Sequence, residues 1–516
     1  MHEQEIKLAV PADTRKAVAD ELAGLGAQRI RLCARYYDTP DRQLARSGAS
    51  LRLRLEGRHW VQTFKKAGQD PVTRVELNHP RTAPQLDLSV YAGTPAEGLI
   101  RQLKGELGLR YETNVWRLKA ELRTPDGVAE AAYDEGTICA GDLELPLHEL
   151  ELELMSGTVD TLFTLAKAWT ARHRLVLDAR SKAERGDRLA KAAAAILAAP
   201  DADRATVRQS QIETYWAPTM ASRRVLSPRA TPSQALDVVT AECLDQVVRN
   251  ATALSGIDGE LSMTAINAKH VHQLRIGLRR LRSAWRLFKG WAPLPGDDAQ
   301  KAAADFFGQF GQARDSDVLN ETVVPLLSAA GMQPVDLGSS GEGVDAATVA
   351  ASAAFQGWLL ELLAWNVGLR DSASAVPSPV VAVPLRPAKL EVPVVRRLKK
   401  WHKELVEEGS RFHLLEDEAR HDLRKLAKRL RYGLSFTESL FDADHVKPYL
   451  KSLATLQDVL GNINDLVVAR ETYRELSATQ PTAWFAVGWL SAKLEALYDD
   501  AETQFAALGD TRPFWK

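Results

Sequence analysis

Between His2 and Leu154, five short stretches alternate polar with apolar side chains. His2 to Val10 sets Glu3, Glu5 and Lys7 on one side, and Leu51 to Leu55 does the same with Arg52 and Arg54. Thr63 and Lys65 flank Phe64, Arg74 and Glu76 flank Val75, and Glu149, Glu151 and Glu153 interleave with Leu150, Leu152 and Leu154. A period of two predicts β-strands, whose successive side chains point to opposite faces. Amphipathic helical patterns lie at 11–27, 94–108 and 158–174. From Ser233 the period becomes helical, over 235–248, 267–290, 299–327, 346–368 and from Val394 to the C-terminus. Arg223 to Pro232 reads as linker, Gly331 to Gly343 as a Gly/Ser-rich loop, and Ser372 to Pro393, with its five prolines, as a long connector.

The helix predicted at 267–290 has a cationic polar face. His272, Arg275, Arg279, Arg282 and Arg286 follow steps of three and four, while Leu274, Leu278, Leu281 and Trp285 form the apolar side. No Asp or Glu interrupts Lys269 to Lys289. The stripe then repeats: His421, Arg424, Lys428, Arg429 and Arg431 follow His272, Arg275, Arg279, Arg280 and Arg282 at a spacing of 149 residues. Behind each copy, Gly461 to Asp465 follows Gly311 to Asp315 at a spacing of 150. Such a register predicts two related helical bundles about a pseudo-dyad, with stripes that could face one cleft. Asp315 and Asp465 are expected to cap helices or pair with the stripes.

At 516 residues the chain should hold about three units of roughly 100–200 residues. With 45% hydrophobic and 26% charged residues it reads as soluble and globular; no run of about 18 apolar residues and no charged-then-apolar start point to a membrane or to export. Cys33, Cys139 and Cys243 are scattered, odd in number and without metal-ligand spacing, which favours a reducing cytoplasm. The net charge of -1 says little about partners, because the charges are segregated along the chain.

A half-exposed antiparallel sheet would give the same alternation as the five strands. Their polar faces, however, carry carboxylates or Arg and Lys, with few of the Thr, Ser and Gln of a merely solvated surface. Closed into a barrel, they would enclose a lumen with cationic and anionic walls, and the apolar face outside would need the amphipathic helices as cover. Small barrels usually fill with apolar side chains, so a charged lumen implies a ligand with metal ions. Many Arg and Lys suit a polyanion with several phosphates. Carboxylates clustered without His or Cys select hard cations, Mg²⁺ or Mn²⁺, over zinc. Together they describe metal-assisted phosphoryl transfer to water. His59, His79, His148 and His173 share no ligand spacing and are expected to be surface or internally satisfied residues. Asp38 should cap the turn at Asp38-Thr39-Pro40.

These residues resemble the CYTH family, the triphosphate tunnel metalloenzymes. Glu3-x-Glu5-x-Lys7 matches its ExExK signature. In order follow Tyr37-Asp38-Thr39-Pro40, Leu51-Arg52-Leu53-Arg54, Thr63-Phe64-Lys65, Arg74-Val75-Glu76, Tyr133-Asp134-x-Gly136, Glu149 to Leu154 and Ser181 to Gly186. The resemblance implies an α+β domain over 1–195, an eight-stranded antiparallel tunnel with covering helices that binds triphosphate and Mg²⁺ or Mn²⁺. By motif position it implies Glu3, Glu5, Glu149, Glu151 and Glu153 as metal ligands or water activators. Glu5, Lys7 and Glu151 become the catalytic candidates. Lys7, Arg52, Arg54, Lys65, Arg74, Arg117, Lys182 and Arg185 become triphosphate contacts, and Glu76 either pairs with lumen cations or touches metal.

After a linker at 196–232, the repeat over 233–510 resembles the CHAD domain. The match lies in His272-x-x-Arg275 with Arg279-Arg280-x-Arg282, in Arg314-Asp315-x-Asp317, in His421-x-x-Arg424 with Lys428-Arg429-x-Arg431-Tyr432, and in Leu456 to Asp465. This resemblance implies an all-α domain of two pseudo-symmetric bundles, with halves near 233–370 and 394–510, that binds inorganic polyphosphate without catalysis. His272, Arg275, Arg279, Arg280, Arg282, Arg286, His421, Arg424, Lys425, Lys428, Arg429 and Arg431 are its polyphosphate-binding candidates. A flexible linear polyanion needs spaced cations and no base-reading groups, so nucleic acid is not the expected partner. Inorganic triphosphatase is the leading function. Action on thiamine triphosphate or nucleoside triphosphates, cyclisation of ATP, and a non-catalytic polyphosphate scaffold stand as alternatives. A homodimer and association with polyphosphate granules are left open.

Overall fold

The computed structural model describes residues 2–68, 70, 72–257, 264–337, 345–374 and 390–515. Eight long strands form one antiparallel sheet: β1 (His2–Ala9), β2 (Gln28–Asp38), β3 (Ala49–Glu56), β4 (His59–Ala67), β5 (Thr73–Arg81), β6 (Gly108–Thr124), β7 (Gly127–Ala140) and β8 (Leu143–Gly157). The order is β5-β4-β3-β2-β6-β7-β8-β1, and pairing of β5 with β1 closes the sheet into a tunnel. A two-residue β9 (Val176–Leu177) adds to β1.

Register decides which side chains enter the lumen. Lys7 lies opposite Glu151 and Glu5 opposite Glu153. Glu3 lies opposite Arg74, Lys65 opposite Glu76, and Asp134 opposite both Arg117 and Glu149. Cross-strand partners share a face, so the predicted charged faces converge inside, and a slip of one residue would turn them all outward.

The outer face is apolar and covered. Helices α1 (Arg15–Gly24), α2 (Gln43–Arg46), α3 (Glu97–Gln102) and α4 (Asp160–His173) lie around it. Leu8, Leu150 and Leu152 are fully buried where α4 packs on β1 and β8 through Leu162, Phe163, Ala166 and Trp169. Around α3, Ala96 and Ile100 join Leu51, Phe64 and Tyr91 in a separate core. These helices fall within the three stretches where amphipathic cover is expected, apart from the short α2.

One part of the tunnel departs from the expected charged lumen. Leu32, Ala34, Val115, Ile138, Leu145 and Leu147 make the inner wall apolar, and α5 (Lys182–Ala198) packs on them with Leu189 and Ala190. Gly186 allows this approach, because a Cβ there would lie 2.8 Å from Tyr111 Cγ and closer still to Cδ2 and Cε2. A helix also forms inside the stretch read as linker: α6 (Arg204–Tyr215) packs with Ile212, Tyr215 and Trp216 on the same cluster.

The helical region comprises α7 (Pro232–Leu254), α8 (Thr264–Phe288), α9 (Asp297–Val318), α10 (Val324–Ala329), α11 (Ala346–Ala351), α12 (Ala353–Ser374), α13 (Glu391–Gly409), α14 (Asp417–Thr437), α15 (Ala443–Leu476) and α16 (Ala483–Asp510). Contacts divide the chain into two compact units. The first is Met1–Met220, Leu244–Leu274 and Ala346–Val367; the second is Ala221–Cys243, Arg275–Asp345 and Gly368–Lys516. In the first unit, Thr252 Oγ1 donates to Leu177 O at 2.8 Å, Gln356 Oε1 accepts from Leu177 N at 2.9 Å, and buried His270 bridges Asn250 and the Trp216 carbonyl. In the second, α15 and α16 pack through Ala469, Tyr473, Ala486 and Leu490. There Arg397 also caps α8, donating to the Leu287 and Lys289 carbonyls at 2.8 Å. Among the described residues no helix is long and apolar enough to cross a membrane. The expected loop at 331–343 and connector at 372–393 lie partly outside the described residues, and the Asp315 side chain lies outside them.

Candidate active site

A cavity of about 560 Å³ runs inside the tunnel, lined among others by Glu3, Glu5, Lys7, Arg52, Arg54, Lys65, Arg74, Arg117, Glu151, Glu153 and Lys182. Alternation on β1, β3, β4, β5, β6 and β8 delivers most of these, and the first turn of α5 delivers Lys182. The N-cap Ser181, whose Oγ accepts from Glu184 N at 3.0 Å, fixes that turn.

The charges are arranged as interlocked groups. Arg117 grips Asp134 with two bonds of 2.7 Å and reaches Glu151 at 2.6 Å. Lys182 pairs with Glu149, with Asp134 at 2.8 Å and with Glu151 at 3.1 Å. Arg185 reaches Glu149 at 3.3 Å. Across the lumen Lys7 pairs with Glu5, with Glu151 at 3.9 Å, and Arg74 approaches Glu5 at 3.8 Å. Lys65 bridges Glu3 at 2.8 Å and Glu76 at 2.5 Å. Arg52 donates to Tyr36 Oη at 3.3 Å, and its Nε is buried without a hydrogen-bond partner, as a site for an anionic ligand would leave it. Arg54 pairs with Glu56 at its own strand end.

The electrostatics follow from this crowding. Burial and the hydrogen bond to Glu76 push the Glu3 carboxyl up to about 9. Against its burial, Glu76 is held low by that same hydrogen bond and by Lys65. Burial raises Glu149 and Glu153 as well. Glu151 opposes its burial through Lys182, Arg117 and Lys7 and stays well below the usual range, and Lys7 and Lys65 likewise hold Glu5 low. Burial works against the ammonium of Lys182, but Asp134, Glu149 and Glu151 more than offset it and raise its pKa.

Asp134, Glu149 and Glu151 each offer an oxygen within 4.8 Å of the other two. With Glu3, Glu5 and Glu153 nearby, the donors are all carboxylates, a set that fits a hard divalent cation and not zinc.

Two things in the site were not singled out from sequence. Asp134 is fully buried and holds two cations; its only signal is its place in Tyr133-Asp134-x-Gly136, where a Cβ on Gly136 would lie 2.7 Å from Val115 Cα. Tyr36 and Tyr111 stack at 4.6 Å under the Arg52 end of the cavity. The expectations for other residues resolve simply. Glu76 pairs with Lys65, Asp38 caps α2 by accepting from Leu44 N and Ala45 N, and His173 pairs with Glu21 at 2.6 Å.

The basic stripe falls on α8 and its repeat on α14. Arg275, Arg279 and Arg282 surround the Phe307 ring at 4.9, 5.3 and 5.8 Å. Burial with Arg286 and Arg279 nearby lowers the pKa of Arg282, and burial with Arg286 within electrostatic reach lowers that of Arg429 on the repeat. No carboxylate of the described residues pairs with Arg279, Arg282 or Arg286. Arg280 is set apart: it is buried, paired with Glu242 at 2.6 Å and faces the Phe436 ring. In the repeat, His421 bonds Asn464 at 3.0 Å, Lys425 pairs with Asp422 at 2.9 Å, and Arg431 donates to Gln457 at 2.8 Å. Arg424 and Lys428 are half-buried on the same helix, and His272 is half-buried on α8.

Comparison with known proteins follows the same division. The CYTH domain model matches residues 1–186 and the CHAD domain model matches residues 238–474. The chain is 30% identical over 196 residues to an inorganic triphosphatase of Haemophilus influenzae, an alignment covering 36% of this chain and 54% of that protein. The chain thus spans about half the length of this curated relative. Among solved structures it is similar to the CHAD domain from the plant Ricinus communis, at 28% identity and a TM-score of 0.43, covering 57% of this chain and 98% of that one. It is also similar to a putative adenylyl cyclase from Hippeastrum described as having a dominant triphosphatase activity, at 14% identity and a TM-score of 0.28, covering 35% of this chain and 92% of that one. The chain thus carries a segment matched by the CYTH domain over residues 1–186, followed by one matched by the CHAD domain over residues 238–474.

Proposed function

We propose that the tunnel hydrolyses inorganic triphosphate to pyrophosphate and phosphate with a divalent cation, and that the CHAD domain binds inorganic polyphosphate. The observation that carries the first part is the closed, charged lumen, in which Glu5, Glu151 and Lys7 face Arg52, Arg54 and Lys65 around one cavity. CYTH tunnel enzymes are metal-dependent, and similarity to an inorganic triphosphatase supports chemistry on a triphosphate.

Arg52, Arg54, Lys65, Arg74 and Lys182 bind phosphoryl oxygens and orient the chain for attack along the tunnel. Lys7 stabilises the charge that builds on the transferred group. Glu3, Glu5, Glu149 and Glu153 would hold the cation, and Glu151, ionised between Lys182, Arg117 and Lys7, would position the attacking water and accept its proton. Mg²⁺ or Mn²⁺ supplies charge neutralisation of the phosphate oxygens and a more acidic water. Lys7 and Lys65, which pair with Glu5 and Glu3, would exchange those carboxylates for phosphate oxygens when substrate binds. The substrate needs only cations, which is why a bare triphosphate is favoured over nucleotides.

On α8, Arg279, Arg282 and Arg286 pair with no carboxylate of the described residues, and with Arg429 on α14 close enough to feel Arg286 they suit a linear polyanion. Phosphate release from tripolyphosphate, with and without divalent cation, tests the first part. Release that depends on metal and is lost in Glu5→Gln supports it; release that survives the substitution rejects the assigned site.

A further inference from the structure

The tunnel opens where β2 and β4 end and β3 and β6 begin, and four arginines stand around that opening. Arg42 precedes α2, Arg110 is on β6, Arg188 is on α5, and Arg249 comes from α7, inside the segment matched by the CHAD model. All four line the cavity that contains Glu5 and Lys7. Three are held in place by carboxylates. Arg42 Nε donates to Asp187 at 2.9 Å, and Arg188 pairs with Glu184 at 3.2 Å. Arg249 grips the same Glu184 with bonds of 2.5 and 3.0 Å while its Nε donates to Asp245 at 2.7 Å. The Nε of Arg110 is buried and has no hydrogen-bond partner.

We propose that this rim is an anion subsite continuous with the triphosphate site, that it receives the fourth and later phosphates of a linear polyphosphate, and that Arg249 is its specificity residue. The proposal rests on the triphosphatase reading above. Its logic is positional. Lys182, which faces the lumen, and Glu184, Asp187 and Arg188 at the rim occupy successive turns of α5. The six residue steps from Lys182 to Arg188 span about 9 Å of helix axis, a distance that a few added phosphates cover. A guanidinium that binds a carboxylate through two parallel bonds presents the same fork to a phosphate. A longer chain would therefore displace Glu184 from Arg249, whereas a triphosphate seated in the lumen ends short of it. A residue outside the CYTH segment then sets chain-length preference.

The test uses the full chain and initial rates on tripolyphosphate and tetrapolyphosphate, for wild type, Arg249→Ala, Arg249→Lys and Glu184→Gln. Loss of one charge-assisted pair should raise KM for tetrapolyphosphate about tenfold in Arg249→Ala, with kcat held and with less than about a twofold change for tripolyphosphate. Arg249→Lys should recover part of the effect, and Glu184→Gln, which releases Arg249, should lower KM for the longer chain. Equal effects on both substrates, or none on either, overturn the rim subsite while leaving the triphosphatase intact. If wild type releases no phosphate from either chain, the triphosphatase reading fails, and the rim is decided by calorimetric binding of the two chains in chelator. A loss confined to the longer chain in Arg249→Ala then sustains it, and a loss independent of length removes it.

Discussion

Replacing Gly186 with Ala sets two effects of opposite sign against each other. Helix propensity alone favours Ala over Gly in a helix interior by about 1 kcal/mol. Packing opposes it, because the new Cβ would enter the Tyr111 ring, 2.8 Å from Cγ and closer to two other carbons. The ring has no easy retreat. It is buried, stacks on Tyr36 at 4.6 Å with planes 17° apart, and donates from Oη to Ala183 O at 3.1 Å. Overpacking of this kind costs about 1–3 kcal/mol, and the pinned ring places it at the upper end. Gly186→Ala is therefore expected to lose about 2 kcal/mol net. Relief by moving α5 outward carries Lys182 and Arg185 with it, away from Glu149 and Glu151, and a displacement of about 1 Å at reacting groups can cost about a hundredfold in rate. Urea unfolding and initial rates of phosphate release measure both. Adding Tyr111→Ala should return part of the loss, with a favourable coupling above about 1 kcal/mol in the double-mutant cycle. A Gly186→Ala protein as stable and as active as wild type would refute the close helix-on-wall packing.

Two further outcomes are expected. Arg279→Gln, Arg282→Gln and Arg286→Gln combined should weaken polyphosphate binding at least about thirtyfold at low salt and flatten its dependence on salt concentration, since each charge-assisted contact contributes about 1.5–3 kcal/mol; calorimetry across a salt series checks it. Burial, with Arg15 and Arg185 nearby, lowers His148 to about 4 from its ordinary 6.5. The unfolded chain binds this proton first, so its contribution is present above about pH 6.5 and is lost as pH falls towards 4. After allowance for its partial exposure, His148→Gln should flatten the stability difference between pH 7 and pH 4.5 by about 1 kcal/mol, read from urea midpoints.

The charged half of the tunnel was legible because a period of two fixes which side chains share a face. Glu3, Glu5 and Lys7, or Glu149, Glu151 and Glu153, point together whatever the loops do, and only closure by β1 and β5 had to be supplied. The apolar inner wall was hidden for the same reason. Leu32, Ala34 and Val115 alternate as an outer face would, and nothing local says that α5 crosses the inside to cover them. Ile212, Tyr215 and Trp216 form a short apolar edge within polar sequence, so α6 could be found only from what it packs against. Arg280 sits one step off the stripe, about 100° around the helix, and its partner Glu242 is on another helix. Arg249 carries no local signal, since its role depends on Glu184, 65 residues away.

The measurement that tests the central claim most directly is a substrate comparison at fixed enzyme concentration. Phosphate release is followed from tripolyphosphate, thiamine triphosphate and ATP, each with Mg²⁺, Mn²⁺ or chelator, in wild type and Glu151→Gln. The account predicts metal-dependent release fastest from tripolyphosphate, abolished by chelator and reduced at least about a hundredfold in Glu151→Gln, within the range of losing a positioned general base. Faster turnover of a nucleotide or of thiamine triphosphate, or undiminished rates in Glu151→Gln, would contradict it.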